Sequence, residues 1–453
     1  METSAGDKDE VGEDKQLERS LSENWDAPII ITTSVQALES LHSNRPSDAR
    51  KLHSLAQSVI LFDEVQSLPQ NLLLPTLKTL SRLASPQFGS SVVFATATQP
   101  AFSEFHEMVQ QNETNIGWAP TEIVPDSLNL FARASRVQVD WSHALQPLTH
   151  EAVAATISDK KQALCIVNMR RDAQKLSSLL RELCRDDEAS LFHLSTFMCS
   201  AHRLNVLEEV RDRLSHGREC RLVSTQCIEA GTDVDFSFGM RALAPFSSIA
   251  QAAGRVNRNG LRELENLQVF DLVSEGQKYP DKAYEQGADV TKIMLAEYGE
   301  ERLHLDDPQL FYDYYHKLYM LSQPDKANEP LKEAILRQDY VEVSNLYKLI
   351  DDDCVNVLVP YRLNESLDAF DALSDEALDQ GLSPQWIRKA QPLTISLYRS
   401  YLKSELGTRL QPIPLAKRKG GGNSDQWFIE LEKNNYDELT GFILEKGISA
   451  IFG

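Results

Sequence analysis

Val59-Ile60-Leu61-Phe62-Asp63-Glu64-Val65-Gln66 is the stretch whose reading decides the fold. The apolar run Val59 to Phe62 predicts a short strand buried on both faces, as in a parallel sheet covered by helices. Asp63 and Glu64 follow at its carboxyl end, which is where ligands bind in an open α/β sheet. An acidic pair there suits phosphoryl transfer: one carboxylate holds Mg²⁺ and the next orients the attacking water. The same residues also fit a plain strand ending in two solvated acids. The neighbouring sequence must decide between them.

Upstream, Pro28 to Thr33 predicts a short buried strand that ends in the hydroxyls Thr32 and Thr33. Ser34 then caps a helix to Leu41. Downstream, Leu72, Leu73, Leu77 and Leu80 space out a helix, and Ser91 to Phe94 predicts another buried strand. Ala95-Thr96-Ala97-Thr98 lies at its tip. Alternating strands and helices imply a parallel α/β layer. The alternation restarts near residue 150. Strands are predicted at Ala163–Val167, Ser190–Leu194, Cys220–Thr225 and Leu267–Leu272, with helices at Asp172–Cys184 and His202–Leu214. His202 and Arg203 read as a surface pair; the helicase resemblance given below would also let them touch the nucleic-acid single strand. Beyond Ser274 the pattern is mostly helical and polar, and Lys417 to Gly422 reads as a flexible basic loop.

The fold class expected is α/β: two parallel-sheet lobes, the first incomplete, plus a smaller α+β C-terminal domain; the helicase resemblance given below implies that the lobes are RecA-like. The expected division is an acidic lead-in at 1–24, a partial first lobe at 25–145 and a second lobe at 146–273. A helical linker at 274–330 and an accessory domain at 331–453 complete it.

Composition narrows the function classes. A net charge of −21 argues against coating nucleic acid by bulk electrostatics, though a local basic groove remains open. The six cysteines contain no C-x-x-C pair, which argues against a disulfide framework or structural zinc. No run approaches the ~20 apolar residues of a membrane span, and the acidic start is no secretory signal, so the expected address is cytoplasmic with no membrane partner.

Gln251-Ala252-Ala253-Gly254-Arg255-Val256-Asn257-Arg258 changes the balance. On a continuous helix Gln251, Arg255 and Arg258 would fall near one face and could grip a polyphosphate; a solvated arginine face fits equally. Taken with the acidic pair far upstream, this resembles an arginine-finger arrangement. Asp63-Glu64-Val65-Gln66, Ala95-Thr96-Ala97-Thr98, the run Ser224 to Asp233 and the run Gln251 to Arg258 resemble successive motifs of a superfamily 2 helicase. More narrowly, with Thr32 to Gln36, Asn44 to Ser47 and Asp63 to Pro69, they resemble the helicase-nuclease of type I CRISPR interference systems.

That resemblance implies ATP and Mg²⁺ as cofactors, with Asp63 organising the metal and Glu64 the general base. Gln66 would couple nucleotide to the second lobe, and Thr96 and Thr98 would relay hydrolysis to strand movement. Gly231, Asp233 and Gln251 would line the nucleotide cleft, and Arg255 and Arg258 would meet the γ-phosphate. Thr32, Thr33, Thr96, Thr98, Ser224, Thr225 and Gln226 would lie along single-stranded DNA. An RNA-guided surveillance complex would be the partner.

The sequence contains no G-x-x-x-x-G-K-[ST] loop and no His-Asp dipeptide. The expectation is therefore a C-terminal portion that works with a nuclease and P-loop portion outside it, and that has little activity alone. Two alternatives stay open: another superfamily 2 nucleic-acid motor, and a non-catalytic interaction scaffold.

Overall fold

A computed structural model describes residues 23–453 except 97, 99, 111–117, 119, 126–127, 129–134, 351–352, 404, 416–421 and 445–453. The acidic lead-in up to residue 22 and most of the basic loop at 417–422 lie outside the described residues. The chain divides into two compact units. One joins residues 1–129 to 311–351, and the other joins 130–310 to 352–453.

In the first unit, α1 (Ser34–Leu41) precedes strand β1 (Val59–Asp63), helix α2 (Gln70–Leu83) and strand β2 (Ser91–Ala95). β1 and β2 pair in parallel, with Phe62 opposite Phe94 and Asp63 opposite Ala95. The leucine stripe of α2 is buried as its spacing predicts, through Leu72, Leu73, Leu77, Leu80 and Leu83. Phe94 anchors the layer, its ring 5.9 Å from Phe62, 5.6 Å from Phe102 and 5.2 Å from Trp118.

Residues 311–351 return to complete this unit. Tyr347 shares a hydrogen bond with Thr76 at 2.6 Å and stacks on His42 at 3.6 Å. Tyr319 packs edge-on against Phe105, and Glu39 pairs with Lys348. Stretches divided in the sequence reading between a linker and an accessory domain are thus bound by aromatic contacts to the helical segments of the first unit. No local periodicity could announce that.

Two expectations fail here. Pro28 to Thr33 forms no strand: Ile29 is 84% and Ile31 is 96% exposed. β1 forms where expected but is covered on one face only, with Val59 73% and Leu61 64% exposed. The reason is the sheet itself, which has two strands among the described residues and buries only the side bearing Phe62. The cap of α1 is Thr33, whose hydroxyl accepts from the Gln36 amide at 3.1 Å, with Ser34 the first helical residue.

The second unit contains a six-stranded, fully parallel sheet in the order β3-β8-β7-β4-β6-β5. Its strands are β3 (Val137–Leu148), β4 (Gln162–Ile166), β5 (Leu191–Leu194), β6 (Cys220–Ser224), β7 (Phe238–Ala242) and β8 (Glu265–Leu272). Every residue of β4 and β6 is buried, so both sheet faces are covered at the centre. Helices α3 (His150–Ser158) and α4 (Arg170–Leu183) contribute Val153, Ile157, Leu176 and Leu180 to a core shared with Cys165, Val223 and Met240. α5 (Ser200–Ser215) packs along β5 and β6, and α6 (Phe246–Ala253) along β7. This is the parallel α/β layer the alternation predicts.

β3 and β7 were not legible. Phe-Gly-Met-Arg-Ala has the wrong residues for a central strand until its surroundings are known. Gly239 is required there: a Cβ would meet Val256 at 2.6 Å and Leu267 at 2.8 Å.

The described residues between 353 and 444 form an α+β layer on a sheet that has four strands among them, in the order β10-β9-β12-β11. Its strands are β9 (Cys354–Leu358), β10 (Thr394–Tyr398), β11 (Leu410–Pro414) and β12 (Asn423–Glu430). The helix Pro384–Ala390 buries Trp386, whose indole donates to Leu373 O at 2.8 Å. The same core takes in Phe197 and Cys199 from the turn after β5 and Ala201 from the start of α5. At that junction His202 is buried rather than on the surface, stacked on Tyr361 at 4.6 Å with Nδ1 3.0 Å from Tyr436 Oη. Next to it in the sheet, His193 sits between the hydroxyls of Ser177 and Ser195, each at 2.9 Å.

Two measurements follow. Replacing exposed apolar side chains of β1 by Val59→Thr and Leu61→Lys should lower self-association in light scattering while leaving Tm nearly unchanged. Unchanged scattering would mean that this face is not the adhesive one. Burial lowers the pKa of His193 to about 3 and that of His202 to about 4, so both remain neutral in the fold and protonate more readily in the unfolded chain. Their contribution is fully present above the unfolded pKa, about 6.5, and is lost as pH falls towards those folded values. Urea stability should decline below pH 6.5 by up to about 1.4 kcal/mol per pH unit for each histidine. His193→Asn should flatten that decline; an equal slope would remove His193 as a cause.

Candidate functional site

The first cluster grows from the end of β1. Asp63 is the last residue of the strand and is exposed, its Oδ1 accepting from the Glu64 amide at 3.1 Å. Glu64 takes the left-handed conformation with φ 54°, a cost of order 1 kcal/mol for a residue with a Cβ. The chain then tightens into a single 3₁₀ turn, Val65–Ser67. This turn brings Gln66 Nε2 onto Glu64 Oε2, while Gln66 Oε1 accepts from Thr96 Oγ1 at the tip of β2. Thr96 Oγ1 also accepts from the Thr98 amide at 3.1 Å, and Thr98 Oγ1 lies 3.2 Å from Tyr315 Oη. One hydrogen-bonded chain therefore runs Glu64–Gln66–Thr96–Thr98–Tyr315. Two motifs about thirty residues apart meet through side chains, and Gln66 is the joint between them.

The second cluster surrounds the turn after β6. Ser224 and Thr225 are buried; Ser224 Oγ lies 3.1 Å from Leu194 O, and Thr225 Oγ1 lies 3.5 Å from Cys227 Sγ. Gln226 donates to Asn168 O at 3.0 Å. The turn continues to Gly231, whose φ of 70° favours glycine, and to the exposed Asp233.

α6 ends at Ala253, so Gln251, Arg255 and Arg258 do not share one helix face as a continuous helix would require. Val256 bridges to Phe236, and Asn257 turns the chain with φ 46°. Both arginines nevertheless converge on the 229–233 turn. Arg255 is buried and donates to the carbonyls of Glu229 and Thr232, the latter at 2.6 Å. Arg258, partly exposed, pairs with Asp233 at 3.0 Å. Gln251 is half-buried on α6.

Beneath this turn lies a group that sequence reasoning missed. Arg241, fully buried on β7, pairs with the buried Glu229 at 2.8 Å, donates to Asn168 Oδ1 at 2.8 Å and reaches Tyr284 Oη. Burial raises the Glu229 pKa, and the Arg241 charge opposes that shift. The available signal was Arg241 itself, a charge inside a stretch flanked by Phe, Met and Ala, which demands a partner.

Thr32 and Thr33 lie at the start of α1, where Thr32 Oγ1 donates to Gln36 Oε1 at 2.9 Å and Thr33 serves as cap. Among the described residues no group of three or more His, Cys, Asp or Glu side chains could hold a metal, so an ion at Asp63 would have at most two such ligands from the described residues. That suits a cation that keeps most of its water and phosphate ligands. No helix among the described residues is long and apolar enough to cross a membrane.

A family model described as CRISPR-associated nuclease/helicase Cas3, C-terminal, matches residues 159–261, which take in the second cluster. The chain is Cas3-like. The CRISPR-associated nuclease/helicase Cas3 of Haloferax volcanii is 26% identical over 324 residues, covering 53% of this chain and 34% of that protein. The Cas3-like chain thus spans about a third of that relative's length. It also shares the fold of T. fusca Cas3 solved with ATP: TM-score 0.61 and 18% identity, over 91% of this chain and 56% of that one. A chain in a CRISPR RNA-guided surveillance complex, pre-nicking, aligns with TM-score 0.58 and 15% identity over 96% of this chain and 63% of that one.

The buried ion pair makes a direct prediction. Glu229→Ala leaves Arg241 charged and without its carboxylate, and should cost about 3–5 kcal/mol in urea unfolding. The double variant Glu229→Leu/Arg241→Met should recover part of that loss. A single variant as stable as the parent would show that the pair does not fix the turn.

Proposed function

We propose that this chain is the motor part of an ATP-driven, Cas3-like helicase of type I CRISPR interference. It unwinds DNA and reels the single strand towards a nuclease domain outside this sequence, after recruitment to an RNA-guided surveillance complex in the cytoplasm. Guide pairing supplies sequence choice in such systems, so a motor that holds only the backbone suffices.

The observation that carries this reading is the chain Glu64–Gln66–Thr96–Thr98, which joins the acidic pair to the hydroxyl tip of the next strand. Such a chain can convert a change at one carboxylate into movement at a strand-contacting turn. In this reading Asp63 holds Mg²⁺ and Glu64 accepts the proton of the attacking water. Gln66, Thr96 and Thr98 pass the change on. Gly231, Asp233, Gln251, Arg255 and Arg258 serve the nucleotide, and Thr32, Thr33, Ser224, Thr225 and Gln226 line the DNA path. ATP supplies the phosphoanhydride whose cleavage drives the cycle.

A second reading has observations of its own. The Arg255 guanidinium is engaged by carbonyls of its own turn, Ser224 and Thr225 point their hydroxyls into the fold, and the sequence carries no phosphate-cradling loop. These favour a chain that binds nucleotide poorly alone and serves as a scaffold until another polypeptide supplies that loop.

DNA-stimulated phosphate release separates the two. The chain alone should stay at background, and adding a Cas3 segment that carries a G-x-x-x-x-G-K-[ST] loop should raise turnover. Glu64→Gln should then remove it by 10²-fold or more. No turnover in the mixture would favour the scaffold; turnover indifferent to Glu64→Gln would end the general-base assignment.

A further inference from the structure

Tyr284 lies in the first turn of helix α7 (Lys282–Tyr298), beyond the helicase-like motifs and beyond residues 159–261 that the family model matches. The Asp281 carboxylate caps this helix by accepting from the Tyr284 amide at 2.8 Å. Thr291 Oγ1 donates to Ala244 O at 2.9 Å, so the tyrosine stands on a helix docked against the second unit's sheet. Its hydroxyl enters the polar group beneath the 229–233 turn. There it accepts from Arg241, through the same nitrogen that pairs with Glu229, and donates to Asn168 Oδ1 at 3.3 Å. Burial raises the Tyr284 pKa, which keeps on the phenol the proton that Asn168 receives.

Two lines of contact leave this hydroxyl. Through Arg241 one runs to Glu229, whose carbonyl receives the Arg255 guanidinium. Through Asn168 the other runs to Gln226, whose side-chain amide donates to Asn168 O at 3.0 Å. In the function proposed above, Arg255 serves the nucleotide and Gln226 the strand. We propose that Tyr284 is a positioning residue that couples these two ends of the turn, so that each ligand alters the affinity for the other. A hydroxyl that only needed a partner would be satisfied by one backbone carbonyl. This one joins two side chains, and one of them is half of a buried ion pair. Because one Arg241 nitrogen serves both Glu229 and Tyr284, a displacement of Glu229 is felt at the tyrosine, and a displacement of Asn168 is felt there from the other side. Hydrogen bonds in such buried surroundings are stronger than in water and polarise one another, which favours movement of the group as a unit.

The inference rests on the proposed motor function and adds to it a residue outside its motifs. The test uses the full chain mixed with a Cas3 segment that carries the G-x-x-x-x-G-K-[ST] loop. Fluorescence anisotropy of a labelled oligo-dT gives Kd with and without a non-hydrolysable ATP analogue, and the ratio of the two is the coupling factor. In the unsubstituted mixture that factor should fall in the range of about 5- to 150-fold found for coupled sites. Tyr284→Phe keeps the ring and removes only the hydroxyl. It should bring the factor to within about twofold of unity, while Kd for oligo-dT alone and Tm stay close to the parent values. If the unsubstituted mixture fails to bind oligo-dT or the analogue, the motor reading falls and the coupling role with it. If it binds both and the factor is already unity, or is the same in Tyr284→Phe, the coupling role alone is wrong. Weaker binding of oligo-dT in the absence of nucleotide, matched by a fall in Tm, would mark Tyr284 as a structural prop and also overturns the proposal.

Discussion

A guanidinium and a carboxylate buried together, Arg241 and Glu229, set the geometry of the second unit. Neither tolerates burial alone, so the turn after β6 must close over β7 for the pair to form. Once it has closed, the carbonyls of residues 229 and 232 face Arg255 and receive its hydrogen bonds. Arg258 and Asp233 then pair at the outer edge of the same turn. The surroundings of Arg255 and Arg258 are thus built on a turn that one ion pair ties to the sheet beneath.

The first unit obeys a different constraint. Its sheet, two-stranded among the described residues, has too little width there to cover itself, and Val59 and Leu61 face solvent. Its rigidity comes instead from side-chain hydrogen bonds that run from Glu64 to Tyr315, and from aromatic packing around Phe94. The polar chain is thus both the link between motifs and part of what holds β1 and β2 in register with the returning helices.

Much of this was legible. Continuous apolar runs gave β1, β2, β4 and β6, and leucine spacing gave α2 and α4, because local pattern decides those elements. Motif order pointed to the helicase class, which the Cas3-like similarity supports. Other features depend on partners distant in sequence. β7 reads poorly because Gly239 and Arg241 make sense only beside Val256 and Glu229. Pro28 to Thr33 looks like a strand by composition but has no neighbour to pair with among the described residues. The helix through Arg258 failed for a local reason: Gly254 follows its last turn, and Asn257 adopts a left-handed angle. His202 looked superficial because the tyrosines that enclose it, Tyr361 and Tyr436, lie more than 150 residues away.

The return of residues 311–351 to the first unit has a consequence for biosynthesis. A ribosome emits the chain from its amino end at about 5–20 residues per second, so Thr76 and His42 wait tens of seconds for Tyr347. During that interval the six-stranded sheet, contiguous from Val137 to Leu272, can close on its own. The earlier segment stays open, with part of its aromatic and leucine-rich surface uncovered. Assembly order is therefore inverted relative to emergence: what leaves the tunnel first is finished later, and that is the window in which a chaperone or a rival nascent chain would find it.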